Sequence, residues 1–191
     1  MDTPMKLATY KQAWPLDTVV CPCDAELVEV LEIMEVRGKT LFHFGTGSHH
    51  VVGRSLPRPT SRNKVLAVTA NREEYEAYID LVTEDPEIAK LYKVIFCDIY
   101  TLSGDILPVF DFVALFHLCE FYKPERNYYA PLDDEALLAL MIERTARDGL
   151  LAFYTGSCAY SKARPLIEEV GRRGLIRKLT QYKHLDIYSK V

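Results

Sequence analysis

The run Thr40-Leu41-Phe42-His43-Phe44-Gly45-Thr46-Gly47-Ser48-His49-His50 carries an apolar strand into a Gly-x-Gly turn and then into a helix start. Glycine lets the backbone turn tightly and lets a ligand approach closely, and a helix start offers N–H groups without intrahelical partners. The chemistry expected of such a turn is a cradle for a nucleotide-like ligand. His49 and His50 are adjacent, so on a helix they diverge and cannot hold a metal as an i, i+4 pair would. His43 lies inside the strand and reads as a hydrogen-bonded core histidine. His117 ends a later apolar run, where an imidazole can take a proton near neutral pH. Glu120 follows one helical turn on and is placed to orient it, and Tyr154 and Tyr160 can shape a pocket beside them. Cys21-Pro22-Cys23 puts two thiols close together, but no second ligand pair stands at zinc-site spacing, so no metal is expected.

The elements that must hold these groups alternate along the chain. An irregular opening segment, 1–23, contains Tyr10, Trp14 and Pro15 and reads as a cap over the rest. A helix is predicted from Asp24, its cap, to Val36, closed by Gly38. Strands follow at Thr40–Phe44, Lys64–Thr69, Lys93–Cys97, Phe110–Phe116 and Leu150–Tyr154. Helices between them run from about Ser48 to Leu56, from Asn71 (a capping box with Glu74) to Val82, from Asp85-Pro86, from Asp133 to Arg147, and from Ser161 to Arg173. Ile176–Val191 reads as two short strands or one bent strand, with Leu185 and Ile187 alternating with polar partners as on an edge.

Apolar strands separated by helices imply a mostly parallel, doubly wound α/β sheet covered on both faces, with an antiparallel edge strand near the C-terminus. Ligands of such sheets sit beyond the carboxyl ends of the strands, where strand order reverses. With no repeat and no linker, residues 1–191 read as a single domain, with 24–191 as its core beneath the 1–23 cap. A net charge of -4 argues against generic nucleic-acid binding. No apolar run approaches the roughly 20 residues that span a bilayer, and no secretory signal is expected at the N-terminus. Five cysteines without scaffold density point to free thiols and a cytoplasmic setting.

These strand ends together resemble the class I S-adenosylmethionine-dependent methyltransferase family, of Rossmann-like fold. The similarity is strongest from Val94-Ile95-Phe96-Cys97-Asp98-Ile99-Tyr100-Thr101-Leu102 through Leu107-Pro108-Val109-Phe110-Asp111-Phe112-Val113-Ala114-Leu115-Phe116-His117. The resemblance implies S-adenosylmethionine as cofactor, held by Gly45, Thr46, Gly47 and Ser48 at the methionine part. It implies Asp98 and Ile99 at the adenine, Thr69 and Asn71 at the ribose, and Phe116 and His117 between cofactor and acceptor, with His117 catalytic. The first two motifs are degenerate. His43 stands where the family has an acid, His49 where a small residue is usual, and Thr69-Ala70-Asn71 where an acid closes the second strand. A nicotinamide fingerprint fits less well, since His50 replaces its third glycine.

Two readings follow. One is methyl transfer to a small-molecule acceptor. The other is an altered or non-catalytic member of the fold that binds another nucleotide-like ligand or a protein partner. The resemblance implies that N-terminal caps and inserts recognise the acceptor, and the only such pieces here are residues 1–23 and 121–131, whose aromatic surface also suits a homodimer.

Overall fold

The computed structural model describes residues 6–58 and 60–191. Helix α1 (Cys23–Ile33) leads into β1 (Thr40–Phe44), and α2 (Val51–Ser55) into β2 (Lys64–Thr69). Then come α3 (Arg72–Glu84), α4 (Pro86–Leu91), β3 (Tyr92–Phe96), two 3₁₀ turns, β4 (Phe110–Ala114), α5 (Asp134–Glu143) and β5 (Thr145–Tyr154). The chain finishes with α6 (Tyr160–Arg172) and a hairpin of β6 (Ile176–Tyr182) and β7 (Leu185–Lys190). Among the described residues the strands form one seven-stranded sheet ordered β3-β2-β1-β4-β5-β7-β6. β1 to β5 are parallel, and β7 runs antiparallel to both β5 and β6. Strand order reverses between β1 and β4, the point where sheets of this kind open a crevice.

Period-two alternation assigns each strand residue a face. Phe42 and Phe44 of β1 join Val113 of β4, Leu137 and Met141 of α5 and Ile167 of α6 in one apolar layer. Leu41 points the other way, with Leu27 and Leu31 of α1, Tyr78 of α3, Tyr92 and Phe112. His43 shares this second face and so meets α1.

Four expectations are corrected. Asp24 does not cap α1: Pro22 holds the cap position without a side-chain bond, and Asp24 is buried inside the first turn. That helix also stops at Ile33, because Glu35 adopts a left-handed φ of 52°. The helix predicted to Arg147 ends at Glu143 and Thr145 already begins β5, a ten-residue strand. Its stop has visible causes: Thr145 Oγ1 donates to the Met141 carbonyl at 2.7 Å, and Phe110 N–H takes the Arg144 carbonyl into the sheet at 2.8 Å. Finally, the antiparallel edge strand expected near the C-terminus is present as β6, but the alternating residues 185–188 belong to β7, which lies between β5 and β6. Its polar alternation is covered, with buried Asp186 accepting from Tyr160 Oη at 3.0 Å and pairing Lys178 at 2.8 Å.

α2 and β3 touch through Gly53. A methyl group there would lie 2.1 Å from the Tyr92 ring, which is itself buried. Overpacking of a filled core costs on the order of 1–3 kcal/mol, so Gly53→Ala should lower stability by about that amount in urea unfolding.

Among the described residues no helix is long and apolar enough to cross a membrane, and no group of three or more His, Cys, Asp or Glu is placed to hold a metal ion.

Candidate functional site

The Gly-x-Gly turn sits at the carboxyl end of β1, with φ of +88° at Gly45 and +54° at Gly47. These conformations favour glycine. What approaches the glycines closely is protein. A methyl on Gly45 would stand 2.9 Å from His117 Cδ2, and one on Gly47 would stand 2.3 Å from His49 Nε2 and 2.9 Å from the Trp14 carbonyl. His50 supplies the turn before α2, which is only five residues long. Its ring is buried between Tyr92 Oη and the Glu74 carbonyl, each at 2.8 Å, and burial pushes its pKa down to about 4. It is a neutral structural histidine.

Residues 6–22 form a strap across these strand ends. Tyr10 N–H donates to the Ala70 carbonyl at 3.1 Å, Asn71 Nδ2 donates to the Tyr10 carbonyl at 3.0 Å, and the Tyr10 ring packs on Phe121 with centroids 4.4 Å apart. Further along, Ser48 N–H and Oγ both donate to the Trp14 carbonyl, at 2.9 and 3.2 Å. Trp14 N–H in turn reaches Glu74 Oε1 at 3.3 Å.

Glu74 is a residue that sequence reasoning used only as half of a capping box. Asn71 does cap α3, accepting the Glu74 N–H at 3.0 Å, but the Glu74 carboxylate turns away from the cap. It accepts from Thr69 Oγ1 at 2.6 Å and from buried Thr46 Oγ1 at 3.3 Å. Burial raises its carboxyl above the usual range despite these donors. The signal was present in the two threonines at neighbouring strand ends, since buried hydroxyls need acceptors.

Asp98 caps the turn after β3, accepting Tyr100 N–H on Oδ1 at 3.1 Å. Its Oδ2 accepts from Asn127 Nδ2 at 2.7 Å and Tyr129 Oη at 2.6 Å. The tyrosine oxygen also accepts from Ala8 N–H at 2.6 Å, and Arg126 donates to the Thr9 carbonyl at 3.3 Å. Asp98 is thereby the anchor at which the strap and residues 121–131 interlock. Ile99, beside it, is packed into the core.

On the far side of the reversal point lies His117, its Nδ1 3.1 Å from Glu120 Oε2 at an angle short of a well-aligned hydrogen bond. Ser157 Oγ donates to the other Glu120 oxygen at 2.5 Å. Burial alone would lower the His117 pKa, but the Glu120 carboxylate, helped by Asp24 and Cys21, raises it above the ordinary histidine value. Burial likewise opposes ionisation of Glu120, and His117 and Ser157 overcome it. Phe116 points to the other face, edge-on to His43 at 6.0 Å and Tyr154 at 6.4 Å. There His43 Nε2 meets Asp24 Oδ1 at 2.9 Å, with His49 Nε2 3.8 Å from Oδ2.

The structure thus brings Gly45 to His117, Gly47 and Ser48 to Trp14, and Thr46 and Thr69 to Glu74. Asn71, Asp98, Ile99 and Phe116 are engaged within the fold.

No protein-family model matches the sequence, and no curated protein matches it. Solved structures do. A SAM-dependent methyltransferase from Aquifex aeolicus superposes with a TM-score of 0.59 at 16% identity, over 90% of this chain and 94% of that one. A putative caffeoyl-CoA O-methyltransferase from Staphylococcus aureus gives 0.65 at 10% identity, over 94% and 86%. TrmN from Thermus thermophilus gives 0.59 at 12% over 86% of this chain, which spans about half, 48%, of that protein. The fold shared with these proteins is the Rossmann-like methyltransferase fold, and the strand order and antiparallel β7 seen here belong to it.

Proposed function

Starting from a chain with the methyltransferase fold, we propose that it transfers a methyl group from S-adenosylmethionine to a small-molecule acceptor, with His117 taking the acceptor's proton. The observation that carries this reading is the His117–Glu120 pair seated on Gly45 at the reversal point of the sheet. Structures of this fold are described as acting on small molecules and on RNA alike, and the net charge of -4 favours the former here. Free thiols at all five cysteines suit a reducing, cytoplasmic setting.

As the strap lies, the residues do not fit the cofactor. Asp98 has both carboxylate oxygens occupied, Asn71 is committed to α3 and Tyr10, and the Ser48 N–H is taken by Trp14. Binding on this reading requires residues 6–22 and 121–131 to move aside, which frees Asp98, Ser48 and the glycine turn together. The chain's own contribution is then clear at one atom. With Nδ1 3.1 Å from Glu120 Oε2, Nε2 of His117 is the ring nitrogen left to receive a proton. Methyl displacement asks mainly for alignment, so a single well-placed base is sufficient apparatus.

A base with a raised pKa is active only above it. Turnover should therefore rise with pH along a limb centred above the ordinary histidine value of about 6.5. Glu120→Gln should move that limb to lower pH, while His117→Ala should cost about 10²–10⁴ in rate. A pH–rate profile of the two variants checks both.

The second reading, an altered member of the fold, is favoured by the same saturation of Asp98, Ser48 and Glu74. Calorimetry with S-adenosylmethionine, S-adenosylhomocysteine and an NADH control separates the two. Saturable binding of the first pair, by the native chain or by one with a weakened strap, supports methyl transfer. No binding by either chain up to millimolar concentration supports the altered member.

A further inference from the structure

The strap runs into a thiol pair, of which Cys21 bears on the site only through its effect on the His117 pKa. Asp17 forms a local turn, accepting the N–H groups of Val19 and Val20 on its carboxylate at 2.9 Å each and that of Cys21 on its carbonyl at 2.9 Å. Pro22, with helical φ and ψ of -77° and -3°, then carries the chain into α1. The result is a Cys21 Sγ to Cys23 Sγ contact of 3.5 Å. One helical residue between two positions leaves their Cα atoms on the order of 5.4 Å apart, inside the range of about 4.4–6.8 Å that a disulfide bridges.

We infer that Cys21 and Cys23 form a reversible thiol–disulfide site whose reaction partner is a small disulfide of the glutathione class. The two sulfurs have unequal roles. Cys21 is half-buried and thus reachable, whereas Cys23 is buried beside Asp24, its Sγ 3.7 Å from Oδ1. The Cys21 thiolate attacks one sulfur of the small disulfide, forming a mixed disulfide and expelling one small thiolate. Cys23 then attacks the Cys21 sulfur, its S–H proton passing to solvent or to the departing thiolate as that leaves. The balance is one protein dithiol oxidised and one small disulfide reduced to two thiols.

The surroundings favour this order of events. A hydrogen bond from Cys23, against the effect of burial and with His117 nearby, holds the Cys21 thiol down to about 7. Cys23 is pushed up, first by Cys21 itself and then by burial and Asp24. Capping Cys21 removes the largest of those causes and readies Cys23 for the second step. The other thiols are poorer nucleophiles: burial pushes Cys97 to about 11 and Cys119 to about 12, and Glu120 raises exposed Cys158. A two-residue spacing closes a small, strained ring, and strained disulfides are the readily reduced ones, as reversibility requires.

The test is to expose the reduced native chain to oxidised glutathione at neutral pH, block remaining thiols with N-ethylmaleimide and map the peptides by mass. The expected product is a peptide holding Cys21 and Cys23 that has lost two hydrogens, with Cys97, Cys119 and Cys158 alkylated. Brief alkylation should also mark Cys21 on the order of tenfold or more faster than Cys119. Cys23→Ser should halt at a glutathione adduct on Cys21, and that variant needs no new ring to report the first step. Unmodified thiols at 21 and 23, a persistent adduct on Cys21 in the native chain, or consumption of Cys158 instead would each overturn the inference. None of these readouts depends on cofactor binding, so the result stands apart from the fate of the methyltransferase reading.

Discussion

Weakening the strap with Tyr10→Ala and Trp14→Pro together should raise the affinity for S-adenosylhomocysteine by about tenfold to a hundredfold. The closed strap rests on few contacts: the Tyr10 N–H to the Ala70 carbonyl, Asn71 Nδ2 to the Tyr10 carbonyl, the Trp14 contacts to Ser48 and Glu74, the bonds of Ala8 and Thr9 to Tyr129 and Arg126, and the Tyr10–Phe121 ring contact. Each net hydrogen bond contributes about 0.5–1.5 kcal/mol, and the proline deletes the N–H that reaches Glu74. If the open form is the one that binds, apparent affinity is reduced by its population, and every 1.4 kcal/mol removed from closure returns tenfold. Calorimetry on the two chains measures the ratio directly. Unchanged affinity in a folded variant would mean that the strap and the ligand do not compete.

Asp24→Ala should destabilise the fold by about 3–5 kcal/mol, the usual result of removing one partner of a buried pair. Asp24 is buried, His43 is buried against it at 2.9 Å, and His43 Nδ1 has no partner elsewhere among the described residues. Burial opposes the charge on Asp24, but His43, His49 and His117 outweigh it and hold the carboxyl below its ordinary value. A carboxyl lowered in the folded state stabilises at pH above its unfolded value, about 3.9, and that contribution is lost as pH falls through the folded value. The gap between native chain and variant should therefore be full at neutral pH and close below about pH 4. Urea unfolding at several pH values tests size and sign together.

How much of this was legible beforehand depended on how local the cause was. β1 and β2 match their predicted ranges to the residue, because an apolar run bounded by a glycine or by polar turn residues is a local signal. The end of α5 was not legible, because it is set by a strand 34 residues upstream in sequence, where Phe110 claims the Arg144 carbonyl. The site divides in the same way. The glycine turn and the i, i+3 placement of Glu120 after His117 could be read from spacing, while the site role of His117 came from the family resemblance. The partners of Asp98 could not: Asn127 and Tyr129 lie 29 and 31 residues away, and either of two carboxylate fates, a ligand or a loop, is compatible with the same motif. Asp24 was misassigned for a related reason, since a helix-start acid caps by default and only the facing strand reveals a histidine for it.

The placement of β7 between β5 and β6 bears on how the chain comes off the ribosome. β6 is made first but has β7 as its neighbour in the sheet, and β5 offers its open edge to β7 as well. Five parallel strands and their helices can assemble while that edge still waits, its unpaired N–H and C=O groups available to any other strand. Only when residues 185–190 emerge can the hairpin form and seal the edge, so until they do the nascent chain is most open to mispairing.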